Sequence, residues 1–239
     1  MNQRAIWDAI WSKPGHQEWD PLSEQIYLTL LRECGSPAGL KILEAGSGSG
    51  RISLRLACNG ANVILVDYSE KAILLAQKAF KAKDCSAEFI LADITELPLA
   101  DQSVDISWNS GVLEHFSTSQ QIEVLKEMKR VTKQGGKIIS FNPNARCLPY
   151  RVGKYVAEIT GSWPYGIENP VTTLSAICEK AGIRLEKEYS IALVESLDFL
   201  CFVPNSGYVR SAMETFLKSL SKEEMELFPG YLLVSVMLC

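Results

Sequence analysis

The stretch Ile42-Leu43-Glu44-Ala45-Gly46-Ser47-Gly48-Ser49-Gly50 decides the fold. An apolar strand runs into an acid, then into glycines at alternate positions, then into a helical pattern that starts at Arg51. Glycine lacks a Cβ, so the backbone can turn sharply and a ligand can lie directly on it. A strand, a glycine turn and a helix start make a nucleotide-type binding site at the carboxyl end of a parallel strand. A dinucleotide fingerprint reads G-x-G-x-x-G. Counted from Gly46 its last position is Arg51, and counted from Gly48 it is Ser53. Neither frame supplies the glycine that lets helix and strand pack closely in that fingerprint.

Around this stretch the pattern alternates. Strands are expected at Lys41–Glu44, Asn62–Val66, Ala87–Ala92, Val104–Trp108 and Gly136–Asn142. Helices are expected between them at Arg51–Cys58, Glu70–Ala82 and Ser119–Thr132, the last opened by the capping-box spacing Thr118-x-x-Gln121. Short apolar runs separated by amphipathic helices indicate βαβ units and an α/β fold, a parallel sheet with helices on both faces. Before it, Trp7, Ile10 and Trp11 sit at helical spacing, and a second helix is expected over Leu22–Glu33. After it, residues 143–169 break the rhythm and read as a long irregular connection carrying Tyr150, Tyr155, Trp163 and Tyr165. A helix over Val171–Ala181, a strand over Arg184–Leu193, a helix near Arg210–Leu220 and an apolar strand over Tyr231–Leu238 complete the reading.

The chain has 239 residues, 47% of them hydrophobic, enough for a substantial core in one domain. Net charge is −4 and no long basic run appears, which disfavours a nucleic-acid substrate because phosphate binding needs clustered Lys and Arg. The seven cysteines form no C-x-x-C pair, and they read as reduced thiols of a cytoplasmic protein. With only two histidines, His16 and His115, no metal site is expected. No signal peptide or membrane span is expected.

Two further acids follow the glycine loop. Asp67 ends the second strand, where a carboxylate can accept hydrogen bonds from ribose hydroxyls. Asp93 ends the third, where an acceptor suits an adenine amine, with Tyr68 and Ile94 apolar enough to sandwich the ring. Each also has a plain structural alternative: Asp67 as a cap competing with Ser69, Asp93 as an N-cap. Asp105 reads as a surface or turn residue. After the fourth strand come Trp108-Asn109-Ser110-Gly111-Val112-Leu113-Glu114-His115-Phe116, and after the next helix Gly135-Gly136-Lys137-Ile138-Ile139.

The loop, the two spaced acids, the V-L-E-H-F segment and the G-G-K strand together resemble class I S-adenosylmethionine-dependent methyltransferases, in the group that includes the ubiquinone/menaquinone-biosynthesis type. The resemblance covers residues 40–142 well. It implies a Rossmann-like seven-stranded sheet of order 3-2-1-4-5-7-6 with the last strand antiparallel. It implies S-adenosylmethionine as cofactor, with Glu44, Gly46, Ser47, Gly48 and Gly50 around its methionine and ribose. Asp67 would bind the ribose, Tyr68, Asp93 and Ile94 would surround the adenine, and the backbone at Asn109 and Ser110 would meet the methionine amino group. On this reading residues 1–39 are a helical lid, 40–142 the cofactor-binding half and 143–239 the substrate-side half. The acceptor would be a small molecule, because the N/D-P-P-Y motif of base and amide methylation is absent. Its pocket would be walled by Trp7, Trp11, His16 and the aromatics of residues 146–169. His115 is the candidate catalytic base. The alternatives are a non-catalytic S-adenosylmethionine-binding protein and a nicotinamide-dependent oxidoreductase.

Overall fold

A computed structural model describes residues 3–13, 15 and 17–239. Helices α1 (Gln3–Trp11) and α2 (Pro21–Cys34) precede β1 (Lys41–Ala45). Then follow α3 (Arg51–Cys58), β2 (Asn62–Asp67), α4 (Glu70–Ala82), β3 (Glu88–Leu91) and β4 (Val104–Ser110). A 3-10 turn at Leu113–His115 leads to α5 (Thr118–Val131), β5 (Thr132–Pro143), α6 (Leu148–Ile159), α7 (Ser175–Ala181) and β6 (Arg184–Ile191). The 3-10 segment Glu195–Phe202, α8 (Gly207–Ser219), α9 (Lys222–Met225) and β7 (Leu232–Leu238) complete the order.

The strands form one sheet in the order β3-β2-β1-β4-β5-β7-β6. The pairs among β1 to β5 are parallel, and β7 runs antiparallel between β5 and β6. Order and direction are those expected. Burial on both faces explains the near-continuous apolar runs of the central strands. Along β2, Ile64 and Val66 face a layer with Val124, Leu125 and Met128 of α5 and Cys178 of α7. Val63 and Leu65 face the other layer, with Ile26 and Leu30 of α2, Leu56 of α3 and Phe80 of α4.

Local chemistry sets the element ends. Asp20 accepts from the Ser23 N–H at 2.6 Å and Pro21 starts α2, a cap followed by a residue whose missing donor costs nothing there. The capping box of α5 lies one residue earlier than the sequence suggests. It joins Ser117 and Gln120, while the Gln121 side chain donates to the Leu113 carbonyl at 2.7 Å. Strand β5 starts at Thr132, before the glycines, because the helix ends directly into it. The expected irregular connection over 143–169 contains the twelve-residue α6, with Pro149 in its first turn, where proline is tolerated. The helix expected from Val171 begins at Ser175, since Val171 is instead engaged in a bridge to Asn144.

The cysteines depart from the fully reduced reading. Cys58 at the end of α3 and Cys85 just after α4 form a disulfide with Cα atoms 6.1 Å apart. The helices lie on the same face of the sheet, which brings together two residues separated by 27 positions. Cys34, Cys147, Cys178, Cys201 and Cys239 are free. No helix of the described residues is long and apolar enough to cross a membrane.

Candidate active site

The carboxyl ends of β1, β2 and β4 meet at the glycine loop. Gly46, Gly48 and Gly50 have φ of 78°, 52° and 64°, in the region that L side chains rarely adopt. At Gly50 there is also no room, because an added Cβ would lie 2.3 Å from Leu65 Cδ2. The loop is pinned by the Gly46 and Ser47 N–H groups, which donate to the Val66 carbonyl at 2.8 and 3.0 Å. Asp67 holds it from the side: Oδ2 accepts from the Gly48 N–H and Oδ1 from the Ser69 N–H, both at 2.8 Å. Ser69 is the cap of α4, so Asp67 does not fill that role. Burial raises the Asp67 pKa, and the two backbone donors oppose that shift.

Unsatisfied buried polar atoms gather here. Glu44 Oε2, Ser47 Oγ and Ser53 Oγ have no hydrogen-bond partner. Burial pushes the Glu44 carboxyl up to about 8, with the nearby Ser53 side chain and then Arg51 acting against it. Buried polar atoms without partners are costly, so such a cluster is a candidate ligand site.

Helix α1 lies across the loop. A Cβ at Gly48 would come within 2.5 Å of the Trp11 ring. Asp8 accepts from the Ser69 hydroxyl at 2.5 Å, and Arg4 donates to the Tyr68 carbonyl while its guanidinium sits 5.6 Å from the Tyr68 ring centre. Beyond β3, Asp93 Oδ1 accepts from the Thr95 N–H and hydroxyl at 2.9 and 2.8 Å, a turn cap on an exposed residue. The Ile94 side chain packs into the core. Asn109 is buried, its Nδ2 donating to Met128 Sδ and its Oδ1 accepting from the Ser140 hydroxyl, which leaves its backbone and that of Ser110 as what β4 can offer a ligand. Asp105 joins β1 to β5, accepting from the Lys41 N–H at 2.8 Å and from Lys133 Nζ at 2.6 Å.

Beyond β4 lies a second polar group. His115 Nδ1 is 2.6 Å from the Ile167 carbonyl, so Nδ1 carries the proton and Nε2 the lone pair. Nε2 sits 3.8 Å from Glu114 Oε1. Burial lowers the His115 pKa. Glu114 is 1% exposed, and burial, then the charge of Glu168, raises its pKa well above the usual carboxylate range. Glu168 accepts from the Tyr150 hydroxyl, and burial raises its pKa as well. Aromatic rings wall the group: Trp7 meets His115 edge-on at 5.1 Å, Trp163 meets Tyr165 at 5.3 Å, and Phe199 meets Tyr231 at 4.6 Å.

The structure therefore brings together Glu44, the glycine loop, Asp67 and Tyr68, and connects them through α1 to His115. His16 lies outside the described residues. Sequence reasoning gave no role to Glu114, Glu168, Asp8 or Arg4, and placed Tyr150 only in the aromatic wall. Glu168 had one signal, an acid directly following the aromatic, turn-rich run Trp163-Pro164-Tyr165-Gly166-Ile167.

Comparison with known proteins agrees with this geometry. Residues 43–140 match the family described as methyltransferase domain. A probable S-adenosylmethionine-dependent methyltransferase of Mycobacterium tuberculosis is 32% identical over 126 residues, 53% of this chain and 43% of that protein. A demethylmenaquinone methyltransferase of Clavibacter sepedonicus is 36% identical over 121 residues, 49% of this chain and 47% of that protein. The chain thus spans less than half the length of these relatives. A solved S-adenosylmethionine-dependent methyltransferase from Aquifex aeolicus shares the fold, with a TM-score of 0.62 at 16% identity over 100% of both chains. Over residues 43–140 the chain is similar to S-adenosylmethionine-dependent methyltransferases. The family's cofactor is S-adenosylmethionine. The glycine cradle and the unpartnered Glu44 Oε2 and Ser47 Oγ beside it fit a ligand that carries an ammonium group and hydroxyls.

Proposed function

We propose that the chain transfers a methyl group from S-adenosylmethionine to a small molecule seated between α1 and the aromatic wall. The observation that carries this reading is the joining of Asp67 to the Gly48 N–H beside the unpartnered Glu44 and Ser47 atoms. Asp67 and Tyr68 would take the ribose side and the backbone near Asp93 and Ile94 the adenine. Glu44, Ser47 and the Asn109–Ser110 backbone would take the methionine end. The sulfonium, once bound, supplies an electrophilic methyl group. The protein's own share is positioning and exclusion of water, and positioning alone can supply on the order of 7–11 kcal/mol in favourable systems.

Residues 1–39 act as a lid, 40–142 as the cofactor half and 143–239 as the acceptor half. The rings of Trp7, Tyr165 and Trp163 supply apolar lining, and Glu114, His115 and Glu168 the few placed polar groups that such pockets carry. His115 offers an unprotonated Nε2, although transfer to an ionised acceptor needs no base. The small-molecule class is supported by the demethylmenaquinone relative and by the net charge of −4, which is poorly suited to nucleic acid. Calorimetric titration with S-adenosylhomocysteine and, separately, NAD tests the cofactor. Binding of NAD alone would overturn the reading, and a labelled-methyl screen against phenolic, carboxylic and amine acceptors tests turnover.

A further inference from the structure

We propose that Glu114, His115 and Glu168 form a binding site for one first-row divalent cation, of the Mn2+ or Zn2+ type, on the acceptor side of the pocket. The site is new to this chain, and the sequence, with its two histidines, gave no reason to expect a metal. It rests on the functional reading only for its place beside the acceptor, since cation binding is measurable alone.

Four observations carry it. First, one ligand atom from each side chain lies within 4.8 Å of the other two, and His115 Nε2 is 3.8 Å from Glu114 Oε1. Ligands about 2.0–2.2 Å from one ion stand about 3–4.3 Å from each other, so a small side-chain rotation brings all three onto one ion and leaves its other positions open. Second, His115 donates Nδ1–H to the Ile167 carbonyl, which orients the ring and leaves Nε2 free, the arrangement that ligating histidines adopt. Third, Glu114 Oε2 is buried with no partner at all, in a residue only 1% exposed. A carboxyl so placed stays protonated unless a counter-charge joins it, and a bound cation would supply one. Fourth, the Glu168 carboxyl is itself oriented by the Tyr150 hydroxyl, a buried outer-shell donor.

The backbone fixes the trio. The Asn169 N–H donates to the Glu114 carbonyl at 2.8 Å, locking the segment after α6 to the 3-10 turn after β4. Lys154, the buried cation nearby, pairs with Glu158 and lies 4.9 Å from the Trp163 ring centre, and its charge also acts on His115 and Glu168. One imidazole and two carboxylates suit Mn2+, Fe2+ or Zn2+ better than Ca2+, which prefers oxygen donors throughout. Trp7 and Gln3 of α1 lie against His115, so entry runs past the lid.

The test uses the full chain after treatment with a chelator. It is titrated with Mn2+ by electron paramagnetic resonance and with Zn2+ by calorimetry, with and without S-adenosylhomocysteine. One Mn2+ per chain is expected, its spectrum carrying a nitrogen coupling from the imidazole. His115→Ala and Glu168→Gln should each weaken it by about tenfold or more. Protein that binds S-adenosylhomocysteine but neither metal overturns the cation site and leaves the cofactor reading standing. Protein that binds Mn2+ but not S-adenosylhomocysteine does the reverse. Bound Mn2+ with no nitrogen coupling, in the unaltered chain, also overturns the site, so the outcome does not depend on whether either variant folds.

Discussion

The proposed cofactor side and the proposed acceptor side are built by different means. On the cofactor side, neighbouring strand ends supply the groups, and main-chain hydrogen bonds hold them: Gly46 and Ser47 to Val66, Gly48 to Asp67. On the acceptor side, Trp7, Glu114, Tyr150, Glu168 and Tyr231 come from separate segments of the chain and meet through side chains. Helix α1 touches both, with Trp11 at the loop and Trp7 at His115. The difference teaches that the first side is part of the sheet's own stability, whereas the second can change residue by residue without disturbing the sheet.

The contrast can be broken most severely from the sheet. Removal of residues 230–239 takes away β7, which pairs with both β5 and β6, and leaves two strand edges and both cores open. The shortened chain should show no cooperative melting transition by circular dichroism, and a native-like melt would place the segment outside the fold's essential core.

Glycine substitutions sharpen the comparison. Gly50→Ala forces a Cβ against Leu65 and keeps a positive φ, which should cost about 2–4 kcal/mol in urea denaturation. For Gly48→Ala the nearest atoms the Cβ would meet belong to the Trp11 ring of α1. It should cost about 1 kcal/mol, the backbone share alone, and α1 should become easier to cleave. Equal losses from the two would mean that α1 is as integral as the sheet.

The buried Glu44 gives a pH test. Its folded-state value of about 8 lies above its ordinary value of 4.5, so the folded chain holds the proton more tightly. Stability from this group is present below pH 4.5 and lost as pH rises toward 8. Urea denaturation at pH 5, 6.5 and 8 should show that decline, and Glu44→Gln should flatten it. An identical slope in both proteins would show that Glu44 is ionised throughout.

These contrasts match what was legible in the sequence. The alternating strands and helices, the glycine loop and Asp67 follow from local signals: apolar runs, glycines at fixed spacing, acids at strand ends. The strand order and the antiparallel β7 come only from the resemblance to the methyltransferases. The capping box slipped by one residue because Ser117 and Thr118 both make good caps and only packing chooses between them. Helix α6 was hidden by prolines and glycine, since Pro149 falls in the first turn, and Gly153 is needed mid-helix because a Cβ there would meet the Phe199 carbonyl at 2.1 Å. The Cys58–Cys85 bond and the meeting of Glu114 with Glu168 are long-range events that no local pattern encodes.

A smaller effect is expected at α1. Trypsin cleavage at Arg4 and Lys13, which flank Trp7 and Trp11, should slow severalfold when S-adenosylhomocysteine is added, as for a lid that closes on its ligand. A rate indifferent to the ligand would make the helix ordinary packing.

The division between the two sides is tested most directly by calorimetry of S-adenosylhomocysteine with the unaltered chain, Asp67→Ala and Trp7→Ala. Asp67→Ala should weaken binding by roughly 1.5–3 kcal/mol, the scale for losing hydrogen bonds to a charged group, while Trp7→Ala should leave it within about 0.5 kcal/mol. Unchanged affinity in Asp67→Ala, or a larger loss in Trp7→Ala, would contradict the account.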